Sequence, residues 1–295
     1  MARGNEVVGL TRRTGATLPP GVATALFRDL SDRQALKTAL NGVEAVLHLA
    51  GRAHVANATG PQALEEFRRS NVEGTRVLLE ESIAARAECF VFISSVKAVG
   101  EETDVPWTED AVPAPTSPYG VSKLEAERVV RRLSEEGGVA APILRLTLAY
   151  GPGVKANMLN LFAWISKGLP LPLAGIQNRR SVVYAGNVAA AIDAVLGAPG
   201  ARSETFFVSD QEDLSTPELA RRIGAALGRS ARMFAVPGAV LRLAGRMSGA
   251  VRRLTDSLAV DSSKLTRITG FVPPHTVDQG LRETATWFRG LGKSR

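Results

Sequence analysis

The sequence predicts an α/β fold, a doubly wound parallel sheet with a smaller carboxyl-terminal region. Three observations carry this. Short apolar, β-branched runs recur through the first half. Helical patterns separate them, and strand–helix alternation means a parallel sheet covered on both faces. A serine pair closes one run, at the carboxyl edge where parallel sheets bind ligands.

The first strand is Glu6-Val7-Val8-Gly9-Leu10, followed by a short helical pattern over 33–40. Ala45-Val46-Leu47-His48-Leu49-Ala50 is the next strand, read as buried on both faces. Residues 61–85 carry Leu64, Phe67, Val72, Leu78, Leu79 and Ile83 at helical spacing. Cys89-Phe90-Val91-Phe92-Ile93 is a third strand, and a strong helix over 119–133 leads to Pro142-Ile143-Leu144-Arg145-Leu146. Beyond Gly151-Pro152-Gly153, residues 158–167 read as helix and 168–173 as an extended, proline-marked loop. Thr205-Phe206-Phe207-Val208 is a strand, and Ser215 with Glu218 three residues later marks a helix start.

The 295 residues are 45% hydrophobic and 22% charged, the balance of a globular protein. Cys89 is alone, which excludes an internal disulfide. No apolar run approaches the roughly 18 residues that span a bilayer, so stable membrane insertion is not expected. The opening residues carry no leader pattern, and the expected compartment is the cytoplasm. The net charge is 36 − 29 = +7. It suits a nucleic-acid or acidic-lipid surface, or a cleft for an anionic small molecule. Aromatics at 5% supply few stacking platforms, so nucleic acid is not an expected partner. Solvated arginines on helix surfaces account for most of the excess. Residues 239–254, with Arg242, Arg246, Arg252 and Arg253, read as a helix with arginines outward; a helix lying on a membrane is the competing reading. His48, His54 and His275 are too scattered for a metal site, and His48 reads as a satisfied core residue.

The chemistry centres on Tyr119-Gly120-Val121-Ser122-Lys123. Four residues apart on a helix, Tyr119 and Lys123 share one face. A free phenol, with a pKa of about 10, is a poor base at neutral pH, and a nearby ammonium favours its ionised form. Such a tyrosine can take a proton from a sugar hydroxyl or return it to a ketone. Ser94-Ser95 at the strand end can hold the reacting oxygen beside it.

The whole arrangement resembles the extended short-chain dehydrogenase/reductases, the NAD-dependent epimerase/dehydratase family acting on nucleotide sugars. Asn71-Val72-Glu73-Gly74-Thr75 is similar to its N-x-x-G-T helix, Ser94-Ser95 with Gly100 to its serine stretch, and Tyr119 with Lys123 to its Y-x-x-x-K. The resemblance implies a Rossmann-like fold: a dinucleotide-binding domain over 1–150, to which a strand near 205–208 returns, and a mainly nucleotide-sugar-binding region over 151–295. It implies Ser95, Tyr119 and Lys123 as catalytic, with Lys123 also holding the nicotinamide ribose. Arg12, Asp29, Leu30, Leu49, Ala50, Gly51 and Ser94 are the further residues implied along the cofactor. Ser95, Asn157, Leu173, Arg180 and Arg253 are implied toward the UDP-sugar. The implied activity is UDP-hexose 4-epimerase or UDP-4-keto-sugar reductase in surface polysaccharide biosynthesis, in a homodimer without a metal. A cofactor-sensing or interaction protein without catalysis is the alternative.

Three departures stand out. The family opens with a G-x-x-G-x-x-G turn that holds the cofactor pyrophosphate at a helix start, and this sequence has none. About 25 residues, one strand, loop and helix, are wanting. The expectation is a natural product longer than this chain, with a truncated, inactive protein as the competing reading. Thr11-Arg12-Arg13 stands where NAD-binding relatives place an acid, which favours NADP over NAD and leans toward a reductase. Family dehydratases carry Asp-Glu after the active hydroxyl, whereas Val96-Lys97 stands here, so dehydration is not expected.

Overall fold

The computed structural model describes residues 4–12, 14–15, 18–53, 60–237, 240 and 249–291, apart from the side chains of residues 250 and 253. They form a Rossmann-like fold of parallel strands with flanking helices. The chain divides into two compact units: unit 1 is Met1–Ala98, Pro115–Leu144 and Arg202–Glu204, and unit 2 is Val99–Ala114, Arg145–Ala201 and Thr205–Arg295.

In unit 1, β1 (Val7–Thr11) and β2 (Val22–Leu26) pair in parallel and form a two-stranded sheet of their own. Helix α1 (Arg33–Ala39) starts at Asp32, whose carboxylate accepts from the Ala35 amide at 3.3 Å. Such a cap is worth about 1 kcal/mol, because it satisfies an amide the helix itself cannot. Strand β3 (Ala45–His48) pairs in parallel with β4 (Cys89–Ser95). Parallel neighbours need a long crossover. Here it is α2 (Gly60–Phe67), a six-residue π-helical turn (Arg68–Glu73) and α3 (Gly74–Ala84). The helical pattern over 61–85 is therefore interrupted by a wider turn, a feature that tends to mark functional positions. A short 3₁₀ turn (Val96–Ala98) follows β4, and α4 (Pro118–Gly137) packs back on the sheet. Leu36, Leu79, Phe90, Phe92, Ala126 and Val130 form the centre of this core.

Strand β3 departs from its sequence reading. Val46 and His48 are buried, but Leu47 is 42% exposed, and Leu49 just beyond is 64% exposed. The strand alternates like a half-buried one because no element among the described residues covers its second face.

Strand β5 (Ile143–Leu146) passes from unit 1 into unit 2. In unit 2, β6 (Leu148–Tyr150) pairs in parallel with β7 (Arg180–Tyr184). Helix α5 (Ala156–Ser166) and strand β8 (Thr205–Val208) fall where the sequence pattern places a helix and a strand, and α6 (Ala185–Gly197) lies between them. Strand β9 (Asp213–Leu214) runs antiparallel to β7. Ser215 then caps α7 (Thr216–Leu227) by accepting from the Glu218 amide at 3.2 Å. Only half of the predicted box forms, since the Glu218 carboxylate pairs with Arg221 and Arg222. The chain ends in α8 (Gly249–Thr255), α9 (Ser263–Thr269) and α10 (Val277–Leu291). The proline-marked loop contributes Leu171 and Leu173 to the core of this unit.

No helix among the described residues is long and apolar enough to cross a membrane. Most of the arginine-bearing stretch 239–254, like Arg13 and His54, lies outside them. Arg252 is exposed and pairs with Glu102 and Asp256, each at 3.2 Å.

Candidate active site

Two elements of unit 1, the end of β4 and the start of α4, carry the residues expected to do the chemistry. Ser117 caps α4 by accepting from the Gly120 amide at 3.1 Å, with Pro118 in the first turn. A Cβ on Gly120 would stand 2.3 Å from the Lys97 carbonyl oxygen. Only glycine lets this turn press against the backbone just past Ser95. Tyr119, half-buried, is thereby brought against the strand end, where the Ser95 hydroxyl is near enough to act on its phenol. The Phe67 ring meets it edge-on at 5.9 Å. One helical turn further, Lys123 is 5% exposed. Its Nζ donates to the Ile93 carbonyl at 2.7 Å and lies 4.5 Å from the centre of the Phe92 ring.

Burial pushes the Lys123 ammonium down from 10.5 to about 8, with the charge of Glu127 opposing. Burial also raises the Tyr119 phenol, and the Ser95 hydroxyl pulls the other way. This differs from the sequence reading, in which the ammonium lowers the phenol. The loss of water around the ring outweighs the pull of the Ser95 hydroxyl.

The N-x-x-G-T segment builds the wall beside these groups. Asn71 on the π-helical turn accepts from the Arg52 amide at 2.7 Å and donates to Arg52 O at 3.1 Å and Ser122 Oγ at 3.0 Å. It thus ties the chain after β3 to α4. Thr75 meets His48 Nε2 at 2.8 Å, and Leu30 packs on Gly74, where a Cβ would stand 2.9 Å from it. His48 is buried as expected and held neutral, pushed down to about 3 by burial and by the charge of Lys123. Its Nδ1 has no partner.

Of the residues expected along a cofactor, Leu49, Ala50 and Gly51 are exposed at the carboxyl end of β3. A Cβ on Gly51 would meet Asn71 Oδ1 at 3.4 Å and Lys123 Nζ at 3.7 Å, so bare backbone runs beside the ammonium. Exposed backbone beside a cationic donor is a surface that the ribose of a nicotinamide cofactor would fit. A glycine-rich turn for the pyrophosphate is not found among the described residues. Arg12 is exposed just past β1. Asp29 accepts from the Ser31 amide at 2.8 Å and from its hydroxyl, which holds the carboxyl below its ordinary range. Ser94 is turned inward, where its hydroxyl donates to buried Glu127 at 2.5 Å. Its expected place along the cofactor gives way to this bond, because neighbouring residues of a strand face opposite sides.

The residues expected toward the sugar nucleotide, apart from Ser95, lie in unit 2. Asn157 is exposed in the first turn of α5, and Leu173 is buried in the core. Arg180 is buried on β7, and its Nη1 donates to Asp256 O at 2.8 Å. The side chain of Arg253 lies outside the described residues. Sequence reasoning missed the roles of Asn71 and Glu127. The signal for Glu127 was its place four residues beyond Lys123, an acid on the buried face of α4.

Residues 1–208 match the NAD dependent epimerase/dehydratase family. The UDP-glucose 4-epimerase of Vibrio cholerae is 38% identical over 255 residues, covering 84% of this chain and 78% of that protein. The structure of MoeE5 in complex with UDP-glucuronic acid and NAD superposes with a TM-score of 0.78 at 25% identity, covering 98% of this chain and 93% of that one. DesIV of Streptomyces venezuelae, a dTDP-glucose 4,6-dehydratase solved as a double mutant with NAD and DAU, gives 0.76 at 26% identity, covering 96% and 87%.

Proposed function

Because the chain belongs to the NAD dependent epimerase/dehydratase family, of the extended short-chain dehydrogenase/reductase type, we propose that it transfers hydride at carbon 4 of a UDP-linked hexose or N-acetylhexosamine. The observation that carries this is the placement of Tyr119 and Lys123 one turn apart on α4, packed against the end of β4 where Ser95 stands, with Lys123 Nζ bonded to the Ile93 carbonyl of that strand. In the oxidative direction Tyr119 takes the proton of the C4 hydroxyl while Ser95 holds its oxygen. In the reductive direction Tyr119 returns that proton to the 4-keto oxygen. The nicotinamide, when bound, accepts or gives the hydride. Lys123 and the backbone at 49–51 hold its ribose. Asn157, Arg180 and Arg253 act on the UDP moiety, arginine being suited to phosphate by its fork of donors.

Two readings of the same step have support. Similarity to the Vibrio cholerae enzyme favours a 4-epimerase, in which the keto intermediate turns over in the site. Exposed Arg12 past β1 suits a 2′-phosphate and favours NADP, hence a 4-keto-sugar reductase. Dehydration is disfavoured, because Val96 is buried and Lys97 gives its amide to Ser95 Oγ at 3.2 Å, so neither position supplies a carboxyl. Surface polysaccharide biosynthesis, a cytoplasmic site and a homodimer complete the reading.

The test is direct. UDP-hexoses with NAD, and UDP-4-keto-sugars with NADPH, are incubated with the protein, and the C4 products are read by NMR. Formation of a 4-epimer or a reduced sugar by the wild type, lost in Tyr119→Phe, supports the proposal. Cofactor binding without any turnover sinks it in favour of a cofactor-sensing protein.

A further inference from the structure

We propose that Glu127 is a positioning residue of this site: it balances the buried charge of Lys123, and Ser94 fixes its carboxylate. The proposal rests on the reading of Tyr119 and Lys123 as the reacting pair. Lys123 has almost no water around it, and its two neighbours from β4, the Ile93 carbonyl and the Phe92 ring, carry no net charge. A lone buried ammonium would release its proton, and the site would lose the cation one turn from Tyr119. Glu127 is 0% exposed and lies one turn beyond Lys123, so Tyr119, Lys123 and Glu127 form a single stripe on α4. A buried carboxylate is as costly alone as the ammonium; on consecutive turns each offsets the other. Ser94 Oγ, donating at 2.5 Å, holds the carboxylate in place. The serine pair thus divides its work. Ser95 faces the phenol, and Ser94 faces the counter-charge of the lysine.

The other charges near α4 are engaged or absent. From β3, His48 is neutral. From the crossover, Arg68 pairs with Glu65 and Glu125, and Arg76 with Glu73 and Glu80. Arg52 pairs with Glu66, and Asn71 presents an uncharged amide. Lys97, half-buried after Ser95, adds a cation rather than an anion.

The experiment titrates Lys123 itself in the full chain by NMR of ¹³Cε-labelled lysine, assigned with Lys123→Arg. The wild type is expected to titrate at about 8. Glu127→Gln is expected to move the midpoint down by about one pH unit or more, Ser94→Ala by less in the same direction, and Glu127→Asp to restore part of it. The alkaline limb of the pH–rate profile moves with the midpoint. An unmoved midpoint in folded Glu127→Gln overturns the proposal. Should that variant not fold, an unmoved midpoint in Ser94→Ala does so instead. Absence of turnover in the wild type sinks the functional reading alone, because the lysine titration does not depend on substrate.

Discussion

Tyr119 in unit 1 is half-buried and Tyr150 in unit 2 is buried, and their neighbours have opposite character. The Tyr150 hydroxyl donates to Asp210 Oδ2 at 2.7 Å, and Asp210 also accepts from the Tyr184 amide at 2.9 Å and from Asn187 at 2.7 Å. Burial and this carboxylate push the Tyr150 phenol far above its ordinary range, so it stays neutral. Tyr184, bonded to Glu283, is likewise pushed up to about 12. Burial raises the Tyr119 phenol as well, but its neighbour is a hydroxyl that pulls it back down, and an ammonium lies one turn away. On the proposed reading, one residue type serves as scaffold or proton carrier according to whether its neighbour can accept only or can also donate.

That contrast is sharpest in a pair of variants. Tyr119→Phe should lower turnover by about 10²–10⁴-fold, the usual worth of a positioned acid–base group, with the melting temperature little changed. Tyr150→Phe should retain turnover in whatever fraction is folded. Equal losses of turnover at unchanged stability in both variants would erase the distinction. Kinetics and thermal unfolding on the same preparations decide between these outcomes.

The second prediction concerns stability in unit 2. Asp210→Ala removes the acceptor of the Tyr184 amide and of one Asn187 N–H, and leaves the Tyr150 hydroxyl only the Val277 carbonyl at 3.3 Å. Allowing for partial relaxation, a loss of about 3 kcal/mol is expected, read from denaturant midpoints. A loss below about 0.5 kcal/mol, the ordinary value for surface positions, would show that the cluster is not a scaffold.

What the sequence disclosed follows the same division. Tyr119 and Lys123 were legible because helical spacing is local, and Ser94-Ser95 because the strand before it is a plain apolar run. Which serine faces which partner was not legible, since it depends on Glu127, 33 residues from Ser94. The N-x-x-G-T pattern was visible, but Asn71 acts across 51 residues on Ser122, a tertiary fact. Strand β7 was missed because it opens with Arg180 and Ser181. Their burial makes sense only once Asp256 O accepts from the arginine and the serine hydroxyl accepts from the Val260 amide. Strand β3 was read as buried on both faces from composition alone, which cannot say whether a second layer is present.

The smallest expected effect tests the cationic side of the comparison. Folding pushes Lys123 from 10.5 down to about 8, while the unfolded side chain keeps the higher value. The folded protein therefore holds this proton more weakly than the unfolded chain does. The contribution of this group to stability is complete above 10.5 and is lost as pH falls through about 8. Lys123→Met has no such proton, and the other titrating groups are common to both proteins. The stability of the wild type relative to Lys123→Met should accordingly rise between those two pH values, by at most about 3 kcal/mol and by less as the buried site relaxes. Denaturant unfolding at several pH values across that window measures it. A flat difference would mean that the lysine is as well solvated folded as unfolded, and Tyr119 would then lack the buried cation that sets it apart from Tyr150.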